Sequence, residues 1–203
     1  MEWAYPLIQG KSQSIQEAAI IGSASGGHLD FIRSLNITKI HHDLQHAAAE
    51  GGHVDVLQWV VDSGTPLSDI NGVMAAKGGR LNVLKWLHER GQKMSVLVFD
   101  YAAGKGHLDI LKWGRECGLK FSYKLPRKAA RLGNLEMLQW LRSVGFDLCA
   151  KTVATIAASG NLDALKWVIE NGGEMSTLAC AAAKNLAILK YLREKGCHGT
   201  KKR

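Results

Sequence analysis

Apolar residues recur at intervals of three and four along short segments of this chain, and polar residues fill the positions between them. Two such segments are each marked by three leucines, at Leu81, Leu84 and Leu87 and at Leu135, Leu138 and Leu141. A helix that buries one face has this period, whereas a half-buried strand would alternate apolar and polar residues. The pattern therefore predicts short amphipathic helices.

The same pattern returns every 27 residues. Tryptophan marks five successive copies, at Trp59, Trp86, Trp113, Trp140 and Trp167. An anchor glycine stands seven positions before each tryptophan and also begins an earlier copy, at Gly27, Gly52, Gly79, Gly106, Gly133 and Gly160. A repeated unit of this kind cannot bury its apolar face alone, and stacked copies cover one another. The repeat therefore predicts a solenoid.

Each copy is predicted to contain two helices. An alanine three positions before the anchor glycine suits a closely packed first helix, and the leucines and tryptophan after it form the second. A further glycine follows twelve positions after the anchor, at Gly64, Gly91, Gly118, Gly145, Gly172 and, in a final copy, Gly196; glycine there is typical of a helix C-cap. We expect the tryptophans to pack in the core, with part of the indole exposed.

Two stretches resemble a known family. Asp43–Leu57, which reads DLQHAAAEGGHVDVL, and Gly106–Trp113, which reads GHLDILKW, resemble the ankyrin repeat, whose pattern is TPLHxAAxxGHxxVVxxLLxxGA. The resemblance covers about residues 15–197, although the TPLH tetrapeptide is nowhere intact and only His46 matches its histidine. Repeats this short, with GHL and LKWL motifs, resemble the ankyrin-like arrays of giant viruses and protists.

The resemblance implies an all-α solenoid of about seven stacked helix–turn–helix repeats. Its period of 27 residues is about six shorter than the family's ~33, so the β-hairpin fingers are expected to be short or absent. We predict an N-terminal extension or cap over residues 1–14, the repeat array over 15–197 and a basic tail over 198–203. Ser34 and Tyr191 replace tryptophan in the terminal copies, which is typical of capping units.

Composition fits an ordinary folded chain. Of the 203 residues 46% are apolar and 22% charged, and no apolar run approaches the ~20 residues of a membrane span. The four cysteines are widely spaced and the N-terminus lacks the pattern of a signal peptide. These features predict an intracellular protein with reduced thiols, in the cytoplasm or, alternatively, in the nucleus or a virion.

Candidate catalytic and metal-binding residues are few. Histidine follows the anchor glycine at His28, His53 and His107, but other copies have Arg80 or asparagine there, which indicates a turn residue. A second set is His41, His42 and His46, in which His42 and His46 have a spacing that can bind zinc, but no HExxH motif accompanies them. Neither a phosphate-binding loop nor a catalytic triad can be assembled. We therefore predict no enzyme activity, no cofactor and no metal site.

The ankyrin resemblance implies protein–protein interaction, by a scaffold or adaptor that holds a partner in its concave groove. In the family the first helices line that face. We expect a stripe of cations there, formed by Lys77, Lys105, Lys124, Arg127, Lys128, Arg131 and Lys184. With 26 basic and 18 acidic side chains the chain carries a net charge of +8, which favours a partner with an acidic surface.

Two alternatives fit the same charges. The stripe and the tail Lys201-Lys202-Arg203 could contact phosphates in a structural protein of a ribonucleoprotein or virion, with an affinity that falls steeply as salt rises. A run of charges can also be a solvated face with no partner.

Overall fold

A computed structural model describes residues 13–35, 37 and 42–197, without the side chains of residues 13 and 14. Most of the predicted N-terminal extension, His41 and the predicted basic tail lie outside these described residues.

The described residues form fourteen helices arranged as seven consecutive pairs. The helices are α1 (Gln13–Ser25), α2 (Leu29–Ser34), α3 (His42–Gly51), α4 (Val54–Asp62), α5 (Asn71–Gly78), α6 (Leu81–Glu89), α7 (Val96–Lys105), α8 (Leu108–Glu116), α9 (Leu125–Leu132), α10 (Leu135–Ser143), α11 (Ala150–Ser159), α12 (Leu162–Glu170), α13 (Thr177–Ala181) and α14 (Leu186–Glu194). No strand occurs in this part of the chain, and short loops such as 90–95 and 171–176 join the pairs. The predicted all-helical repeat fold is confirmed.

Local signals in the sequence set the helix ends. The exit glycines named above adopt a positive φ, as the predicted C-caps require. The anchor glycines, predicted only as turn residues, also adopt a positive φ. Asn134, Asn161 and Asn185 each accept, through the side chain, the backbone N–H of the residue three positions later. These bonds satisfy donors that the first turn of the second helix leaves free.

The helices pack into two compact units, Met1–Tyr101 and Ala102–Arg203, with the boundary inside α7. In the first unit α1, α3 and α5 stack as one layer, and α4 packs on α6 in the other. In the second unit α9, α11 and α13 form one layer, and α10, α12 and α14 form the other. Within each unit a helix therefore contacts its own pair and the neighbouring pairs.

The core lies between these two layers. Alanines of the first helices, such as Ala129 and Ala130, are fully buried beside the apolar stripes of the second helices, such as Leu138 and Leu141. Trp113 is 7% exposed, and the other tryptophans of the repeat are half-buried. The indoles therefore pack as predicted, largely in the core with part of most rings in water.

Candidate functional site

Helix α9 and its N-cap residue Lys124 carry four of the predicted cations on one face. Lys124, Arg127, Lys128 and Arg131 follow the spacing of three and four that aligns side chains along a helix. Lys128 is half-buried and the other three side chains are exposed. The opposite face, which includes Pro126 and the two buried alanines, faces the core. The sequence therefore folds α9 as a helix with one basic and one apolar side.

An open groove runs from α9 across α11 to α13. It consists of two adjoining depressions of about 420 and 410 Å³ that share Ala154, Thr155 and Ala182. The first depression is also lined by Arg127, Lys151, Leu178 and Ala181. The second is also lined by Arg131, Ala158 and Ser159. Small side chains thus form most of the floor, and cations border it. We call this surface the groove.

Lys151 and Leu178 line the groove but were not among the predicted site residues. Both occupy the repeat slot of Lys124, because each lies 27 residues after the one before. The prediction of the cation stripe depends mainly on the repeat positions next to the anchor glycine, at the last turn of the first helix. The slot of Lys124 lies at the first turn, and comparing it between copies would have identified both residues.

The charge on the groove is uniformly positive. Helices α9, α11 and α13 contain no acidic residue, whereas α10, α12 and α14 carry Glu136, Asp163, Glu170 and Glu194. Among the described residues, the side chains of Arg127, Arg131 and Lys151 form no ion pair and no hydrogen bond. Cations without local counter-charges leave a positive potential over the groove.

Five of the seven predicted residues lie outside the groove lining, and two of these, Lys124 and Lys128, belong to the basic side of α9 but line neither depression. Lys77 belongs to the first unit, where its Nζ lies 3.0 Å from Glu50 Oε1 and both side chains are more than half buried. Lys184 Nζ donates a hydrogen bond of 3.1 Å to the Ser159 carbonyl. Lys105 is exposed at the end of α7. The structure thus concentrates the predicted stripe on α9 and assigns Lys77 and Lys184 structural contacts.

A series of side-chain hydrogen bonds joins the turn of one pair to the turn of the next; we call it the turn ladder. His53 Nε2 lies 2.9 Å from the Ser25 carbonyl oxygen, and Arg80 Nε donates to that of Glu50 at 3.0 Å. In the second unit Asn161 Nδ2 donates to the Gly133 carbonyl at 2.8 Å, and Lys184 continues the ladder. These bonds hold successive first helices in register, which fixes the spacing of the groove walls.

Other reactive groups do not assemble into a catalytic site in the described residues. The rings of His42 and His46 stack with centroids 6.3 Å apart, and no group of three or more His, Cys, Asp or Glu side chains there could hold a metal. Burial, with the neighbouring Cys197, raises the pKa of Cys180 to about 11, so its thiol stays protonated and is a poor nucleophile at neutral pH. A hydrogen bond with Thr152 lowers the pKa of the exposed Cys149.

The described helices are also too short or too polar to cross a lipid bilayer.

Comparison with family models and solved structures finds similarity to ankyrin repeats. Residues 45–88 match a family model described as ankyrin repeats in many copies. The crystal structure of the human ASB11 ankyrin repeat domain is similar over 90% of this chain and 99% of that chain, with a TM-score of 0.69 at 14% sequence identity. No curated protein sequence matches the chain. The resemblance to viral and protist arrays stays a prediction.

Proposed function

We propose that this chain, whose residues 45–88 match a family model of ankyrin repeats, is a non-catalytic scaffold or adaptor that binds an acidic surface of one partner protein in the groove. Ankyrin repeats are in general protein-interaction modules. The observation that carries the specific proposal is the set of unpaired cations Arg127, Arg131 and Lys151 around a floor of small side chains. Positive walls without acidic neighbours attract acidic partners and repel basic ones.

The mechanism is complementarity to a preformed surface. The groove walls are helices whose register is fixed by the turn ladder, so binding orders little of the scaffold itself. Long-range attraction raises the rate of encounter, and contacts on the floor then slow dissociation. The four free cysteines support a reducing, intracellular location.

A charge-reversal experiment tests this function. The groove variant carries Arg127→Glu, Arg131→Glu and Lys151→Glu; the matched control carries Lys112→Glu, Lys166→Glu and Lys190→Glu, which make the same change in net charge on exposed positions of second helices. Each full-length protein is used for affinity purification from source cells, with and without nuclease, and bound proteins are quantified by mass spectrometry.

We expect a stoichiometric partner that survives nuclease, is retained by the wild type and the control, and falls at least tenfold with the groove variant, because each lost cation–carboxylate contact costs about 1 kcal/mol. Equal retention of that partner by the groove variant would refute the proposal. If binding disappears with nuclease and weakens with both variants alike, the protein instead contacts nucleic acid through its overall charge.

A further inference from the structure

We propose that the groove selects a short acidic segment that also carries one large apolar side chain, and that this side chain packs on Leu178. The inference rests on the proposed function and adds a specific chemistry to the partner. Charge complementarity accounts for the acidic residues, and the exposed leucine inside a basic groove accounts for the apolar one.

Leu178 lies in the groove with more than half of its side chain in water. It is 55% exposed, and the same depression is lined by Ala154, Ala181 and Ala182. Burial of an exposed leucine against an apolar ligand group is favourable by about 25 cal/mol per Å² of area removed from water. The alanines leave room above the floor, so a large ligand side chain can reach Leu178.

The cations lie at both ends of this apolar floor. Arg127 and Lys151 line the same depression as Leu178, and Arg131 lies at the other end beside Ser159. From Lys151 to Ser159 the helix α11 rises about 12 Å, at 1.5 Å per residue. An extended segment covers that length with about four residues. The ligand therefore has acidic residues about three to four positions apart, with the apolar residue next to one of them.

Selection from a phage-displayed library of random peptides against the full-length protein tests the ligand class. We expect enriched peptides to combine acidic residues with one large apolar residue at a constant place. Enrichment of acidic peptides with no apolar preference would overturn this inference and leave the proposed function intact. Enrichment of peptides without acidic residues, or of none, would count against both.

Titration of the best fluorescein-labelled peptide then assigns the contact. Leu178→Ser is expected to weaken binding about tenfold, because it removes most of an apolar contact. The matched control is Leu186→Ser, a 65% exposed leucine on α14 outside the groove, which leaves affinity unchanged. Thermal melts of both variants check the fold, and neither exposed leucine is needed for it.

The peptide is itself tested by replacing its apolar residue with serine. This change is expected to lower the affinity of the wild type for the peptide about tenfold. The affinity of the Leu178→Ser protein should fall much less, because that protein has already lost the same contact. Equal losses in both proteins would show that the apolar residue binds elsewhere. Loss of binding with Arg127→Glu and Arg131→Glu, but not with Leu178→Ser, would show that the basic groove binds acidic ligands without the apolar preference.

Discussion

At the scale of single residues, Gly78 shows how closely the first helices of the first unit approach each other. A Cβ atom at this position would lie inside van der Waals distance of the Glu50 carbonyl oxygen on α3. Gly51 meets the Ser25 carbonyl in the same way. In the second unit this slot is occupied by side chains, such as Leu132 on α9. Glycine is thus needed here for the approach of two backbones and not for a special φ.

Gly78→Ala is therefore expected to lower the free energy of unfolding by about 1–3 kcal/mol, because a backbone carbonyl cannot move aside as a side chain can. Urea denaturation followed by circular dichroism measures the change. Gly104→Ala is the matched control, since a Cβ on that helical glycine meets open space. The control should be stabilised by up to about 1 kcal/mol through helix propensity; similar results for the two variants would contradict the close approach.

At the scale of elements, a buried polar network attaches the loop before α5 to α3. The Gln45 side chain is fully buried; its Nε2 donates to the Pro66 carbonyl, and its Oε1 accepts from Ser68 N and Asn71 Nδ2. His46 adds a hydrogen bond of 3.0 Å between its Nε2 and Ser68 Oγ. The Asn71 Oδ1 atom is buried without a hydrogen-bond partner, so the bonds to the Gln45 side chain are what specify the position of the loop.

The stability of this attachment is expected to depend on pH. Burial lowers the pKa of His46 below its ordinary value of 6.5, assisted by His42 and opposed by Asp43. As the pH falls below 6.5, His46 takes up a proton more readily in the unfolded chain than in the folded chain, and the free energy of unfolding therefore falls. This fall ends once the pH is below the lowered pKa of His46 in the folded chain. The stabilising contribution is thus complete above pH 6.5.

His46→Gln tests this dependence through urea denaturation at several pH values. At pH 8 the free energy of unfolding should differ from that of the wild type by about 1 kcal/mol, because only the contact with Ser68 is altered. Between pH 7 and pH 5 the variant should lose less stability than the wild type, since it lacks the proton-linked penalty. Parallel loss in the two proteins would show that His46 is not the group responsible.

The sequence is sufficient to predict the helices and their ends, but it predicts only part of the lining of the groove. Helix pairs, glycine caps and the packing of the tryptophans follow from local patterns that recur in most copies, such as the seven-residue spacing between Gly133 and Trp140. The contact between Lys77 and Glu50 joins two different copies, and it depends on which slots face each other across neighbouring helices. The sequence prediction lacks Lys151 and Leu178 for a related reason, because the groove also uses the first turns of α11 and α13.

At the scale of the whole molecule, stability arises from contacts between neighbouring pairs. In the second unit α11 packs on α9 and α13, whereas α14 contacts only α12 and α13 to any extent. Such stacks behave approximately as a series of units coupled to their nearest neighbours. A change at the terminal pair should therefore remain local, and a change in the middle should spread in both directions.

Leu192→Ala on α14 and Leu138→Ala on α10 test this behaviour, because both side chains are fully buried. Each is expected to cost about 2–4 kcal/mol in local packing. Hydrogen exchange should show lost protection over residues 177–197 for Leu192→Ala, and over the two pairs α9–α10 and α11–α12 for Leu138→Ala. Equal loss over the whole second unit in both variants would indicate one cooperative block.

The constant repeat length has a consequence at the level of the gene. Because the anchor glycines from Gly52 to Gly160 follow one another at intervals of 27 residues, the coding segment of one such copy is 81 nucleotides, three for each residue. An in-frame duplication of that segment adds one helix pair and leaves every cap and every rung of the turn ladder in phase. Such a duplication within the α9–α12 region would widen the groove by one helix. Unequal recombination can therefore change the length of ligand that is bound, because the added pair packs on the existing repeats and needs no separate hydrophobic core.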